Sequence, residues 1–269
     1  MAAIMIEASR FRPLRVGTTV AAMAVAALAC VAVPAKADDA NDILKAMTSY
    51  VASQKSISLS FDSAIEVVTP EVEKIQFASS GTLVMSRPDK LRATRTGGYA
   101  DVELVYDGKT ATLYGKNLNA YAQADAPASI DDLIEMLRSK LGADLPGADL
   151  LVAGSYDALT EGVIDGKHIG RGVVDGVECE HLAFRNTDTD WQLWVEVGPR
   201  PIPHKYVITS KAVAGAPEYT LVIRNWKTDA PPAADAFEFK PKADAKKVDF
   251  AALSELDEVP NGTPEGAKK

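Results

Sequence analysis

The chain has 269 residues, of which 29 are Lys or Arg and 37 Asp or Glu, a net charge of −8, and apolar types make up 47%. An acidic balance argues against nucleic acid as a partner and against simple electrostatic docking to anionic lipid. The length leaves room for a core that needs no disulfide framework.

The N-terminus reads as a targeting segment. Arg10, Arg12 and Arg15 precede the apolar run VGTTVAAMAVAALACVAV, which ends in PAKAD. A basic stretch, an apolar stretch and the Ala35-Lys36-Ala37 signal predict a signal peptide over residues 1–37, cut between Ala37 and Asp38, and hence export. The run almost reaches the length of a bilayer span, so an uncleaved anchor is the alternative. Its small residues favour cleavage, which leaves no stable membrane span. A lipoprotein signal through Cys30 is one place out of register, because Ala27-Leu28-Ala29 precede it. Without the leader, 25 basic side chains face 36 acidic ones, a net charge of −11, and Cys179 is the one remaining cysteine. An intrachain disulfide is therefore impossible, and Cys179 is expected to act as a small buried apolar group.

Residues 39–54, DANDILKAMTSYVASQ, place Ile43, Leu44, Met47, Tyr50 and Val51 on one face at helical spacing, with acidic residues at the start. The period then changes to two. In ISLSFDSAIEV, Ile57, Leu59, Phe61, Ile65 and Val67 alternate with Ser58, Ser60, Asp62 and Glu66, the pattern of a half-buried strand. Ile75, Phe77, Leu83 and Met85 continue the alternation, and RPDKLRATR turns into a further strand. Three Asp-Gly pairs, 107–108, 165–166 and 175–176, each flanked by β-type residues, predict hairpin turns. NAYAQAD adds a short strand.

One helix interrupts, over 129–142. Ser129 caps it, Asp132 sits three residues on, Ile130, Leu133, Ile134, Leu137 and Leu141 form its stripe, and Gly142 ends it. The apolar stretch that follows, broken by Pro146, Gly147 and Gly154, predicts a short helical or irregular excursion beside the sheet. Strands are expected at 169–174, 177–185, 190–197, 202–209 and 218–226, then a short one at FEFK. A single domain over 38–245 follows, mainly β (α+β), one antiparallel sheet of about ten strands with two or three helices. The tail, 246–269, is expected to run over the surface and fray.

The segment WQLWVEVGPRPIPHKYVIT, residues 191–209, sets two tryptophans beside three prolines. Trp191, Leu193, Val195 and Val197 share one strand face; Gln192, Trp194 and Glu196 share the other. Pro201 and Pro203 are two apart, so both missing N–H groups fall on one strand edge, which puts the tip at a sheet border or beyond the ladder. This stretch, followed by APEYTLVIRNW and FEFKPKADAKKVDF, resembles the DUF2092 family of predicted periplasmic proteins, which is related in fold to the lipoprotein carrier LolA and the receptor LolB. The resemblance runs from about residue 40 to 250 and rests on motif positions that include Trp194, Pro201, Pro203 and Lys205. It implies a strongly curved antiparallel half-barrel whose helices cover an apolar inner side, and a partly open pocket there.

Chemistry-bearing constellations are sparse. His168, His181 and His204 lie in separate segments without metal spacing, GSYDA is not a nucleophile elbow, and GVIDGKHIGRG lacks the phosphate-loop pattern. No metal, cofactor or catalytic activity is expected. The candidate site is instead the apolar face, on which Phe61, Phe77, Leu83, Met85, Leu104, Trp191, Leu193 and Leu221 line a cavity that Ile134 and Leu137 close. The expected function is binding or carriage of a lipid, a lipid-modified protein or another apolar ligand. The alternative is a cell-envelope interaction module that docks a partner protein through the Pro201–Lys205 border or the Lys-rich tail, over a filled core.

Overall fold

The computed structural model describes residues 37–98, 100–141, 145–228 and 230–253. The leader through Lys36, with Cys30, and the helix-ending Gly142 lie outside the described residues. Twelve strands form one curved, open sheet: β1 (Ser56–Val68), β2 (Lys74–Ser86), β3 (Lys90–Gly97), β4 (Asp101–Tyr106), β5 (Thr110–Gly115), β6 (Ala120–Asp125), β7 (Asp165–Val174), β8 (Val177–Arg185), β9 (Thr189–Glu196), β10 (Pro203–Ser210), β11 (Glu218–Lys227) and β12 (Lys246–Lys247). The helices are α1 (Ala37–Ser53), α2 (Ile130–Leu141) and α3 (Ser155–Thr160), with single 3₁₀ turns at Ala148–Leu150 and Phe250–Leu253.

The spatial order is β12-β6-β5-β4-β3-β2-β1-β11-β10-β9-β8-β7. Two meanders, β1 to β6 and β7 to β11, each made of sequential antiparallel neighbours, therefore meet where β1 pairs with β11. Only β12 runs parallel to its neighbour, β6. The strand total exceeds the expected ten partly through β12, two residues in a Lys-rich segment that carries no alternation to read.

Helices cover one face. On α1 the residues Ala40, Leu44, Met47 and Val51, spaced four, three and four apart, are fully buried against β7, β8, β9 and α3. Burying Leu44, Met47 and Val51 contributes about 2 kcal/mol each. On α2 the buried stripe is Ile130, Leu133, Ile134 and Leu137. Its start is fixed by reciprocal capping: Ser129 Oγ accepts from the Asp132 N–H at 3.1 Å and donates to Asp132 Oδ2 at 2.7 Å. The opposite face of the sheet is polar. There Arg224 on β11 pairs with Asp62 on β1 and, at 2.6 Å, with Asp175 at the β7–β8 turn.

Three local expectations need correction. Asp107-Gly108 and Asp175-Gly176 do turn β4 into β5 and β7 into β8, the latter with positive φ at both residues, 49° and 83°. Asp165-Gly166 instead opens β7. A Cβ on Gly166 would lie 2.8 Å from the Phe184 ring, so this glycine serves close approach rather than a turn. FEFK forms no strand. Phe237 is buried and Phe239 packs on Tyr114 and Tyr121, with ring centroids 5.7 and 5.1 Å apart, so the alternation anchors a strap across the outer face. Finally, β10 lies between β9 and β11, so the Pro201 tip ends an interior hairpin and is not at a sheet border, and Pro203 already faces Val195 in the ladder. Pro203 opens β10 and its carbonyl accepts the buried Trp226 Nε1–H at 3.0 Å.

Residues 246–253 pack closely. After β12 the chain turns onto the inner face, where buried Leu253 meets Ala120 and Ala122, with Val248 and Phe250 beside them.

Candidate ligand cavity

Register arranges the inward side chains of β1 to β5 in rows across the sheet. The innermost row is Ile57, Met85, Leu91, Tyr106 and Ala111; the next is Leu59, Leu83, Ala93, Leu104 and Leu113; the third is Phe61, Gly81, Arg95, Val102 and Gly115. The first row is at most 5% exposed, whereas Ala93, Leu104 and Leu113 in the second and Phe61, Arg95 and Val102 in the third are only half-buried. The floor is packed and the space above it is not. A cavity of about 270 Å³ occupies that space, walled by the second and third rows and roofed by α2 and residues 145–151.

Gly81 shapes the third row. A Cβ there would lie 2.1 Å from the Thr94 carbonyl oxygen and 2.4 Å from Phe61 Cζ, so the Phe61 ring leans across a position that must carry no side chain. The roof is tied down by polar contacts at its ends: the Ile130 N–H donates to the Pro88 carbonyl at 2.9 Å, Asp131 accepts from the Ala153 N–H at 2.9 Å, and Arg138 pairs with Asp149 at 2.7 Å. Its centre presents only Leu133, Ile134 and Leu137.

Of the ten candidates read from the sequence, Phe61, Leu83, Leu104, Ile134, Leu137 and Leu221 come together in this lining. Met85 is in the floor row. Trp191 and Leu193 belong to the part of the core under α1, where Trp191 stacks on Phe184 with centroids 4.1 Å apart. Phe77 pairs with Ile65, two rows beyond Gly81. The alternation that pointed to Leu83 also holds Leu59, Ala93 and Arg95, and could have found all three. Trp226 carried no such signal: Asn225 has φ 57°, where β1 and β11 shift register, and this irregularity swings the indole into the lining.

The motif residues build a different structure. Trp194 points to the outer face, where its ring stacks on His181 at 4.1 Å and Lys205 Nζ sits 4.9 Å above it. Each histidine has its own partner: His168 with Glu180 at 2.7 Å, His181 with Gln192 at 3.0 Å and His204 with Glu196 at 2.9 Å. Burial holds His181 below the ordinary histidine range, with its Gln192 bond opposing. Burial, then Glu196, push the fully buried Cys179 thiol up to about 11, with Glu178 and Glu180 adding and a Val174 backbone bond opposing. Among the described residues no group of three or more His, Cys, Asp or Glu could hold a metal ion, and no helix is long and apolar enough to cross a membrane.

A family model described as "Predicted periplasmic protein (DUF2092)" matches residues 40–251. A search of curated proteins returned no match. Among solved structures, the chain is similar to an uncharacterized conserved protein from Thermus thermophilus, at 12% identity over 78% of this chain and 99% of that one, with a TM-score of 0.47. It is similar to LprF from Mycobacterium bovis, at 12% identity over 75% and 99% of the two chains, TM-score 0.47. A LolA superfamily protein from Nitrosomonas europaea gives 12% identity over 74% and 97%, TM-score 0.36.

Proposed function

Because the chain belongs to the DUF2092 family of predicted periplasmic proteins, we propose that it is an envelope binding protein that holds an apolar ligand between the curved sheet and α2. The observation that carries this reading is the unfilled, apolar space above a packed floor, about 270 Å³ in volume. Protein interiors rarely leave voids larger than a water molecule. Apolar side chains left facing such a space forgo burial worth about 25 cal/mol per Å². A ligand tail placed there recovers much of that contact.

The test is native mass spectrometry of the processed protein purified from its own cell envelope, with solvent extraction of what travels with it. A stoichiometric lipid-like mass supports the reading and names the ligand class. A clean apo mass, together with no uptake of added fluorescent fatty acid, removes it. One observation favours a second reading in that event: Ile169 and Val173 are 53% and 70% exposed on β7, the edge strand of the sheet, which suits docking of a partner protein.

A further inference from the structure

Tyr206 on β10 is 4% exposed, yet its hydroxyl has no hydrogen-bond partner among the described residues. Its ring is held edge-on by Trp191, with centroids 5.9 Å apart. The other buried tyrosines spend their protons: Tyr106 donates to the Pro127 carbonyl at 2.7 Å and Tyr114 to Asn119 Oδ1 at 2.9 Å. A buried hydroxyl without a partner is costly and rare in a folded protein.

Tyr206 stands beside the cavity. It pairs in register with Leu221 of the lining, and Leu221 pairs on its other side with Ser63, which faces Ser79. This row lies one step beyond Phe61 on β1. Ser63 and Ser79 are each 7% exposed and share one hydrogen bond of 2.8 Å. Two hydroxyls bring two protons, so whichever oxygen accepts keeps its own O–H to give. The 145–151 segment closes over the row, where a Cβ on Gly147 would lie 2.8 Å from Leu221 Cδ2. Burial first, then the Asp149 carboxylate on that segment, push the Tyr206 phenol above its ordinary range. The cavity is therefore apolar through its floor and middle and is flanked at Leu221 by hydroxyl donors on both sides.

Spare donors call for an oxygen that accepts. A phenol held protonated offers a proton and never a charge. An anionic head does not suit this end, because a buried charge is expensive and Asp149 opposes it. The oxygen of an ester or a ketone accepts without bringing charge.

Resting on the apolar-ligand reading above, we infer that the ligand carries an uncharged carbonyl, in an ester or a ketone, at the Leu221 end of an apolar body. Its oxygen accepts from the Tyr206 hydroxyl, and its hydrocarbon fills the space between α2 and β1 to β5. The walls supply affinity, and Tyr206 fixes which way round the molecule lies.

The experiment is displacement of the hydrocarbon dye diphenylhexatriene from the delipidated processed protein at pH 8 by methyl decanoate, methyl nonyl ketone, undecane and decanoate. Tyr206→Phe removes one oxygen and keeps the ring. It should weaken the ester and the ketone by about fivefold, the scale of one neutral hydrogen bond, and leave undecane and the dye unchanged, which also reports an intact fold. Whichever of ester and ketone loses more names the carbonyl class. In the wild type decanoate should bind at least about tenfold more weakly than methyl decanoate. The ligand-free variant should melt no lower than the wild type, since its hydroxyl had no bond to lose. Ester and ketone affinities untouched by Tyr206→Phe, or decanoate bound as tightly as methyl decanoate, overturn the inference and leave the apolar-ligand reading standing. A Tm several degrees lower in the ligand-free variant overturns it too, by showing the hydroxyl already spent within the protein. Failure of every compound, dye included, overturns both.

Discussion

Ala93 offers a direct test of whether the space beneath α2 is vacant. It stands in the second inward row, directly opposite Leu83 and Leu104, in the lining of the cavity. Ala93→Leu adds three carbons to that wall. In vacant space each buried methylene contributes about 0.8 kcal/mol, a ceiling near 2.4 kcal/mol, which the compactness of unfolded chains trims to about 1.5–2 kcal/mol. In a filled core the same change forces off-rotamer side chains and backbone shifts and costs about 1–3 kcal/mol. The two situations differ in sign. For a domain of this size 1 kcal/mol moves Tm by about 2–4 °C, so the delipidated variant should melt about 3–8 °C above the delipidated wild type by calorimetry. The added side chain occupies ligand space, so fatty-acid affinity should fall by about tenfold or more. A Tm several degrees lower, with uptake unchanged, would refute the vacancy.

Gly81→Ala should be destabilising by about 3 kcal/mol, because its Cβ would meet the Thr94 carbonyl at 2.1 Å and Phe61 at 2.4 Å; chemical denaturation that finds wild-type stability rules out this packing. The Cys179 thiol, raised to about 11 and buried, should resist a thiol reagent at pH 8 in the folded protein and react promptly in urea; rapid native labelling contradicts its burial. His181 is held below the ordinary value near 6.5, so its neutral form stabilises the fold fully above that pH, and the contribution is lost as pH falls through the lower folded value. The drop in Tm between pH 7.5 and 5 should therefore be smaller in His181→Phe, which keeps a ring on Trp194; an identical drop discounts His181 as a source.

Strand periodicity made most of this architecture legible. The long alternations of β1 and β2 and the stripes of α1 and α2 specify their buried faces one residue at a time, since a slip by one would put Leu59 and Phe61 on the polar side. Six candidate lining residues follow from that rule. Alternation says which face a side chain takes but not how far along the strand it lies, and so it could not separate Met85 in the floor from Leu83 in the wall or from Phe77 two rows past Gly81. Nor does it report which helix covers which strands, so Trp191 and Leu193, under α1, looked equivalent to Leu104 under α2. The strap escaped for another reason. Phe237 and Phe239 have the spacing of a strand, yet they are held by side-chain packing, with Arg92 Nη1 donating to the Ala236 carbonyl at 3.2 Å and no ladder.

The seam between β1 and β11 governs when the cavity can come into being. Each meander is built from neighbours in sequence and closes through short loops, the fast kind of contact. The seam instead joins Phe61 to Ile223 and Ser63 to Leu221, a closure that must gather most of the domain before it is rewarded. Phe61 lines the cavity from one meander, Leu221 and Ile223 from the other, so a half-assembled molecule has strands and hairpins but no complete cavity wall. During refolding, dye uptake should accordingly emerge with the slowest phase and trail the recovery of β-sheet circular dichroism; simultaneous recovery would place the seam early. Dye uptake would thus double as a report that the last long-range pairing has been made.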